Sequence, residues 1–244
     1  MTRGPDYLLE IKGLSQTLTD EKWECMVMWR KKMFEFVRNR NESVFLNGPD
    51  KKMIALSFDD GPDLTVTPGI VKLLKERNVP GNFFFTGINV EKHPQVVLNT
   101  YQNGNLILSH SYKHDDMTSL DNDEIYMDIK KTEAAIEKVI GLKPAILRTP
   151  YGETDSKVLS IATQAGYKVV LWSLDTLDWT QKHDVNMIAQ NVISNVRNGD
   201  IILMHSLEDF TSNVSALSLI IDELKRQSFE FVNLETLLGI KAYQ

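Results

Sequence analysis

With 244 residues, 42% of them hydrophobic and 25% charged, the chain can bury one large core or two small ones, which excludes disordered and fibrous classes. A net charge of -6, with no Lys/Arg cluster interleaved with aromatics, leaves no footprint for a phosphate backbone, so nucleic acid is not an expected partner. The single cysteine, Cys25, excludes an intramolecular disulfide and leaves the redox compartment open.

The first residues, MTRGPDYLLEIKGLSQTLTDEKWEC, lack the basic segment, apolar run and small-residue cleavage site of a signal peptide. The expectation is a chain that is not exported by that route or that begins after its signal. No stretch reaches the roughly 18 to 20 apolar residues of a membrane span. Next, TDEKWECMVMWRKKMFEFVRN reads as a helix with Trp23, Met26, Val27, Met33, Phe34 and Val37 toward one side, followed by the turn-like NGPD. Such a stripe is expected to pack on the rest of the protein, with a partner-binding helix as the alternative. Residues 1–50 are therefore read as a helical extension that carries no chemistry, and residues 51–244 as the working domain.

From about Lys52 the chain repeats one pattern, a short apolar run, a polar turn and a helical period. The runs are MIALSF, NFFFT, NLIL, AILR, KVVLW, DIILM and FEFVNL. Between them, TPGIVKLLKERN, NDEIYMDIKKTEAAIEKVIG, KVLSIATQAG and VNMIAQNVISNVRNG space apolar residues three and four apart and finish in Gly or Asn. About seven alternations imply an α/β fold of parallel strands, either a doubly wound sheet or a closed barrel.

Reactive side chains follow the predicted strand ends. Asp59 and Asp60 follow MIALSF; His110 and His114 follow NLIL; Arg148 and Tyr151 follow AILR. Asp175, Asp178 and Trp179 follow KVVLW, and His205 closes DIILMH. In parallel α/β folds the strand C-termini share one face, so these segments are expected to converge in one cleft. Taken singly, each has a plainer reading: Asp-Gly-Pro as a turn, the histidines as surface residues, Arg148 as an ion-pair residue, Trp179 as core. Read as a helical turn, however, the four-residue spacing lets His110 and His114 bind one metal, with Asp59 or Asp60 as the third ligand. His93 and His183 occupy no strand end and are read as structural or solvated.

SFDDGP, HSYKH, RTPYG, DTLDW and LMH, in this order over about residues 50 to 240, resemble the five motifs of the polysaccharide deacetylases, the carbohydrate esterases built on the NodB homology domain. The resemblance implies a distorted (β/α) barrel of about seven parallel strands. It implies a divalent metal, usually zinc, on Asp60, His110 and His114, with Asp59 as base and Arg148 orienting that base. It also implies an oxyanion donor in the Tyr151 N–H, an acid in His205 partnered by Asp178, and walls for the acetyl methyl in Trp179 and Leu203. Departures are the missing Asn before the first histidine of SHSYKH and the sequence YGETD after the tyrosine.

Adjacent residues on a regular strand point to opposite faces, so for Asp59 and Asp60 to serve one site the strand has to end or bend, for which Gly61-Pro62 is suited. The expected activity is removal of N-acetyl groups from GlcNAc-containing glycans. The alternatives are O-acetyl xylan esterase activity and a glycan-binding module on the same fold. The resemblance points to an extracellular or cell-surface protein, whereas the visible N-terminus would also suit a cytoplasmic one.

Overall fold

The computed structural model describes residues 7–40, 42–181 and 184–244. Every strand pair among them is parallel. The seven expected runs form β2 (Met53–Asp59), β3 (Gly81–Phe85), β4 (Leu106–Ser109), β5 (Ile146–Leu147), β6 (Lys168–Val170), β8 (Ile201–His205) and β9 (Glu230–Phe231). Two strands of two residues were not legible, β1 (Val44–Phe45) and β7 (Leu174–Asp175).

The hydrogen-bonded order is β1-β6-β5-β4-β3-β2-β8-β7, with β9 beside β2. β6 and β7 are successive parts of one segment, which pairs β5 at its start and β8 at its end. That segment curls the sheet toward closure, giving the distorted α/β barrel. Helices cover the outside: α2 (Val66–Arg77), α3 (Gly87–Lys92), α4 (Pro94–Gln102), α5 (Asn122–Ile140), α6 (Ser156–Gln164), α7 (Val185–Ile193) and α8 (Ser212–Arg226). A short α9 (Leu234–Leu238) follows β9. Local chemistry fixes their ends; α5 starts at an Asp121–Glu124 capping box and stops at the left-handed Gly141.

The strands sort their side chains by period two into separate apolar clusters. Ala55, Phe84, Leu106, Leu108, Ile201 and Leu203 fall in one; Ile54, Leu56, Phe58, Phe83, Phe85, Ile107, Ile202 and Met204 fall in the other. Each buried Leu, Ile or Phe contributes about 1.5–3 kcal/mol against exposure, so slipping one strand by a residue would sacrifice many such terms. Register at the strand ends is held accordingly: Asp59 pairs with both Phe84 and His205, Ser109 with Leu147, and Asp175 with Leu203. Alternation puts Asp59 on the same side as Ala55 and Leu203.

The N-terminal helix α1 (Asp20–Arg38) is capped by Thr19 and buries Met33 and Val37 in the cluster that contains Leu203. Val27, expected on its buried side, is instead 46% exposed. Trp29 takes its place, being partly buried and packed against the cluster. No helix among the described residues is long and apolar enough to cross a membrane.

Candidate active site

Asp59 ends β2 and is buried. Its Oδ1 accepts from Arg148 Nη1 at 2.7 Å. Arg148, directly after β5, is wholly enclosed: it also donates to Ser57 Oγ at 2.9 Å and to the carbonyls of Val170 and Leu171 at 3.0 and 2.8 Å. Its guanidinium lies 4.0 Å from the centroid of the Phe84 ring. Burial pulls the Arg148 pKa down, and the Asp59 carboxylate opposes that shift. A charge so enclosed is tolerated because each of its three nitrogens is hydrogen-bonded and a carboxylate pairs it.

Asp60 would continue the alternation outward. Its backbone turns left-handed at φ 73°, which swings the carboxylate back toward the same site. The expected bend therefore occurs at Asp60 itself, one residue before Gly61-Pro62. Gly61 is needed for close approach, since a Cβ there would lie 2.6 Å from Ser206 Oγ and 2.9 Å from the Phe85 ring.

His110 and His114 do face one point, but the segment between them is not a helical turn as the spacing had suggested. Ser111 and His114 both have positive φ, 60° and 66°, and His114 N–H donates to Ser111 Oγ at 2.9 Å. The loop is pinned by Asp128 of α5, whose two oxygens each accept from Tyr112 N–H at 3.0 Å. Burial raises the Asp128 pKa to about 6. His110 Nδ1 lies 2.8 Å from the Arg148 carbonyl. That carbonyl can only accept, so the proton sits on Nδ1 and Nε2 presents its lone pair.

Asp60 Oδ1 lies 3.3 Å from His110 Nε2 and 3.1 Å from His114 Nε2. It is nevertheless buried with no hydrogen-bond donor. An orphaned carboxylate oxygen facing two imidazole nitrogens, all within 4.8 Å of one another, fits a divalent cation through a two-histidine, one-carboxylate donor set.

Across the cavity, His205 ends β8. Its Nδ1 lies 2.7 Å from Asp178 Oδ1, and its backbone N–H donates to Asp178 Oδ2 at 2.8 Å. Asn213 of α8 donates to the same Oδ2 at 2.6 Å, and Trp179 N–H to Oδ1 at 2.9 Å. The Phe210 ring stacks on the imidazole at 4.9 Å. Burial works against protonation of His205, but Asp178, then Asp60 and Asp59, push its pKa up to about 10. Asp178 is held below the carboxylate range by His205 against the opposing effect of burial.

Asp59, Asp60, His110, His114, Tyr151, Asp175, Trp179, Leu203 and His205 line one cavity of about 540 Å³. Arg148 and Asp178 stand behind that lining as supports for Asp59 and His205. Tyr151 has φ 60°, and its ring meets His114 edge-on at 4.7 Å. Leu177, inside DTLDW, is also left-handed at φ 54°. Five of the seven non-glycine residues with positive φ among the described residues thus fall in the motif segments, as strain at working sites does.

The family model for polysaccharide deacetylase matches residues 47–170, just over half of the chain. The chain belongs to the polysaccharide deacetylase family. A peptidoglycan-N-acetylglucosamine deacetylase of Bacillus cereus is 38% identical over 194 residues, 78% of this chain and 70% of that protein. One from Listeria monocytogenes is 35% identical over 190 residues, which are 78% of this chain but 40% of the relative. The chain thus spans less than half of the latter protein. A solved structure of a peptidoglycan N-acetylglucosamine deacetylase in complex with 4-naphthalen-1-yl-N-oxidanyl-benzamide superposes with TM-score 0.80 at 36% identity, over 83% of this chain and 95% of that one.

Several residues around this polysaccharide deacetylase site were missed in the sequence. Ser57, Asn213 and Phe210 support Arg148, Asp178 and His205. Ser57 and Phe210 carry a usable signal, since they lie two residues before Asp59 and five after His205; Asn213, on the following helix, carries none. Residues 1–50 supply no motif residue, but α1 reaches the site: Cys25, Met26 and Trp29 line the cavity. His93 caps α4, away from it. His183 lies outside the described residues.

Proposed function

We propose that the chain is a metal-dependent hydrolase that removes N-acetyl groups from GlcNAc-containing glycans of the peptidoglycan or chitooligosaccharide type. The observation that carries this reading is the joining, in one cavity, of an orphaned three-acceptor cradle, a buried Asp59–Arg148 pair and a His205–Asp178 pair. The family's relatives named for peptidoglycan support the substrate class. Peptidoglycan lies outside the cytoplasmic membrane, and on that ground the proposed place of action is the cell surface or beyond.

Asp60, His110 and His114 would hold the cation, for which zinc is proposed because two neutral imidazoles and one carboxylate suit it. When bound, such a cation supplies Lewis acidity toward water and a carbonyl oxygen. Asp59 takes a proton from the attacking water. Arg148 orients Asp59 for that transfer. The Tyr151 N–H is proposed to donate to the oxyanion that develops on the acetamide oxygen. His205, protonated and aimed by Asp178, gives its proton to the departing nitrogen, since an amine anion is too poor a leaving group to depart alone. Trp179 and Leu203 flank the acetyl methyl. The products are acetate and a free amino sugar.

Acetate release from chitooligosaccharides, peptidoglycan and acetylxylan, measured with metal supplied and again after chelation, tests the reading. The expected outcome is metal-dependent release from the N-acetylated substrates. Release from acetylxylan alone would make the chain an esterase, and glycan binding without acetate from any substrate would make it a binding module.

A further inference from the structure

The family match begins at residue 47, yet part of the cavity lining precedes it in the chain: Cys25, Met26 and Trp29 of α1. This helix is clamped in place. Met33 and Val37 are fully buried beneath its C-terminal half. Trp29 stacks on Trp172 at 5.6 Å, and a Cβ at Gly152 would lie 2.6 Å from the Trp29 ring, so that glycine is what admits the indole. Lys32 pairs with Glu153 at 3.0 Å, and Arg30 donates to the Gly13 carbonyl at 2.8 Å. α1 is thereby fastened to the Tyr151–Glu153 turn at the edge of the site.

Cys25 and Met26 stand four and three residues before Trp29 and share its side of the helix. Met26 and Trp29 are only partly buried and turn an unbranched thioether and an indole toward the cavity. Sugar rings present apolar C–H faces, for which such surfaces are suited. We propose that α1 is a specificity wall, at which Met26 and Trp29 pack on the sugar unit next to the acetamide being cleaved. The proposal rests on the deacetylase reading. A small acetylated compound has to reach only Asp59 and His205, whereas a glycan extends to the wall. The wall therefore acts on binding and distinguishes glycans from small acetyl donors.

Cys25 is exposed, lies on this wall and is the one cysteine of the chain, so it reports on occupancy. The experiment measures its alkylation rate by N-ethylmaleimide in the metal-loaded protein, with and without saturating chitooligosaccharide. It then compares Met26→Ala with wild type on that oligosaccharide and on an aryl acetate. The expected result is a several-fold slowing of alkylation by the oligosaccharide. Met26→Ala is expected to raise KM for the oligosaccharide roughly tenfold, the scale of lost apolar pocket contact, with a smaller effect on kcat and on the aryl acetate. Alkylation indifferent to oligosaccharide, or an unchanged oligosaccharide KM, overturns the wall. Alkylation is read whether or not acetate is released, so a failed wall and a failed chemistry give different patterns.

Discussion

The cradle of Asp60, His110 and His114 and the pair of His205 with Asp178 share one cavity, but their hydrogen bonding is opposite. Asp178 receives four donors on its two oxygens, from the His205 ring, the His205 backbone, Trp179 and Asn213. Asp60 Oδ1 receives none, although it is equally withdrawn from water. A complete donor set fixes one orientation and one protonation state, which suits a group that must hand over a proton. A set of acceptors facing one another suits a cation. The two histidine sites are thus told apart by what is missing from one of them, a distinction that residue type alone does not make.

The largest expected effect breaks the cradle. His110→Ala or His114→Ala leaves two protein ligands, too few for tight zinc, so metal stoichiometry after dialysis should collapse and activity fall to background on every substrate. Metal retained in either variant would remove the assignment. Asp59→Asn tests the neighbouring carboxylate: metal should stay, while the rate falls roughly 10²-fold to 10⁴-fold, as for a lost general base. Loss of metal here instead would exchange the roles of Asp59 and Asp60.

Smaller effects sharpen the other half of the comparison. Asp178→Asn removes the chief cause raising the His205 pKa, which therefore falls. An acid acts only while protonated, so the alkaline limb of the kcat/KM profile should move to lower pH, with metal content unchanged. An unmoved limb would separate that limb from His205. Asn213→Ala, which removes one of the four donors to Asp178, should leave His205 paired and cost less than Asp178→Asn, with metal content again unchanged.

Much of this arrangement was legible because apolar runs of four to six residues mark strands, and reactive residues at their ends share a face by topology. The illegible parts have physical reasons. A four-residue spacing between histidines is produced equally by a helical turn and by a loop with two left-handed residues, and Ser111 and His114 chose the second. The change of direction at Asp59-Asp60 was readable from the need to aim two neighbours inward, but not its location, since Asp60 accepts a positive φ without glycine. Met26 was read as a packing residue because a helical stripe facing a cavity has the same period as one facing a core, and Trp29 was not singled out at all. Asn213 meets Asp178 across 35 residues, a contact that only the fold creates.

The most direct measurement of the division between cradle and acid is kcat/KM of His205→Ala against wild type on a chitooligosaccharide and on an aryl acetate, with metal content determined in the same samples. An amide nitrogen needs a proton to leave, whereas a phenolate departs without one. The account predicts full metal occupancy, a loss of roughly 10²-fold to 10⁴-fold on the oligosaccharide and a much smaller loss on the ester. Equal losses on both substrates with metal retained, or loss of the metal itself, would contradict it.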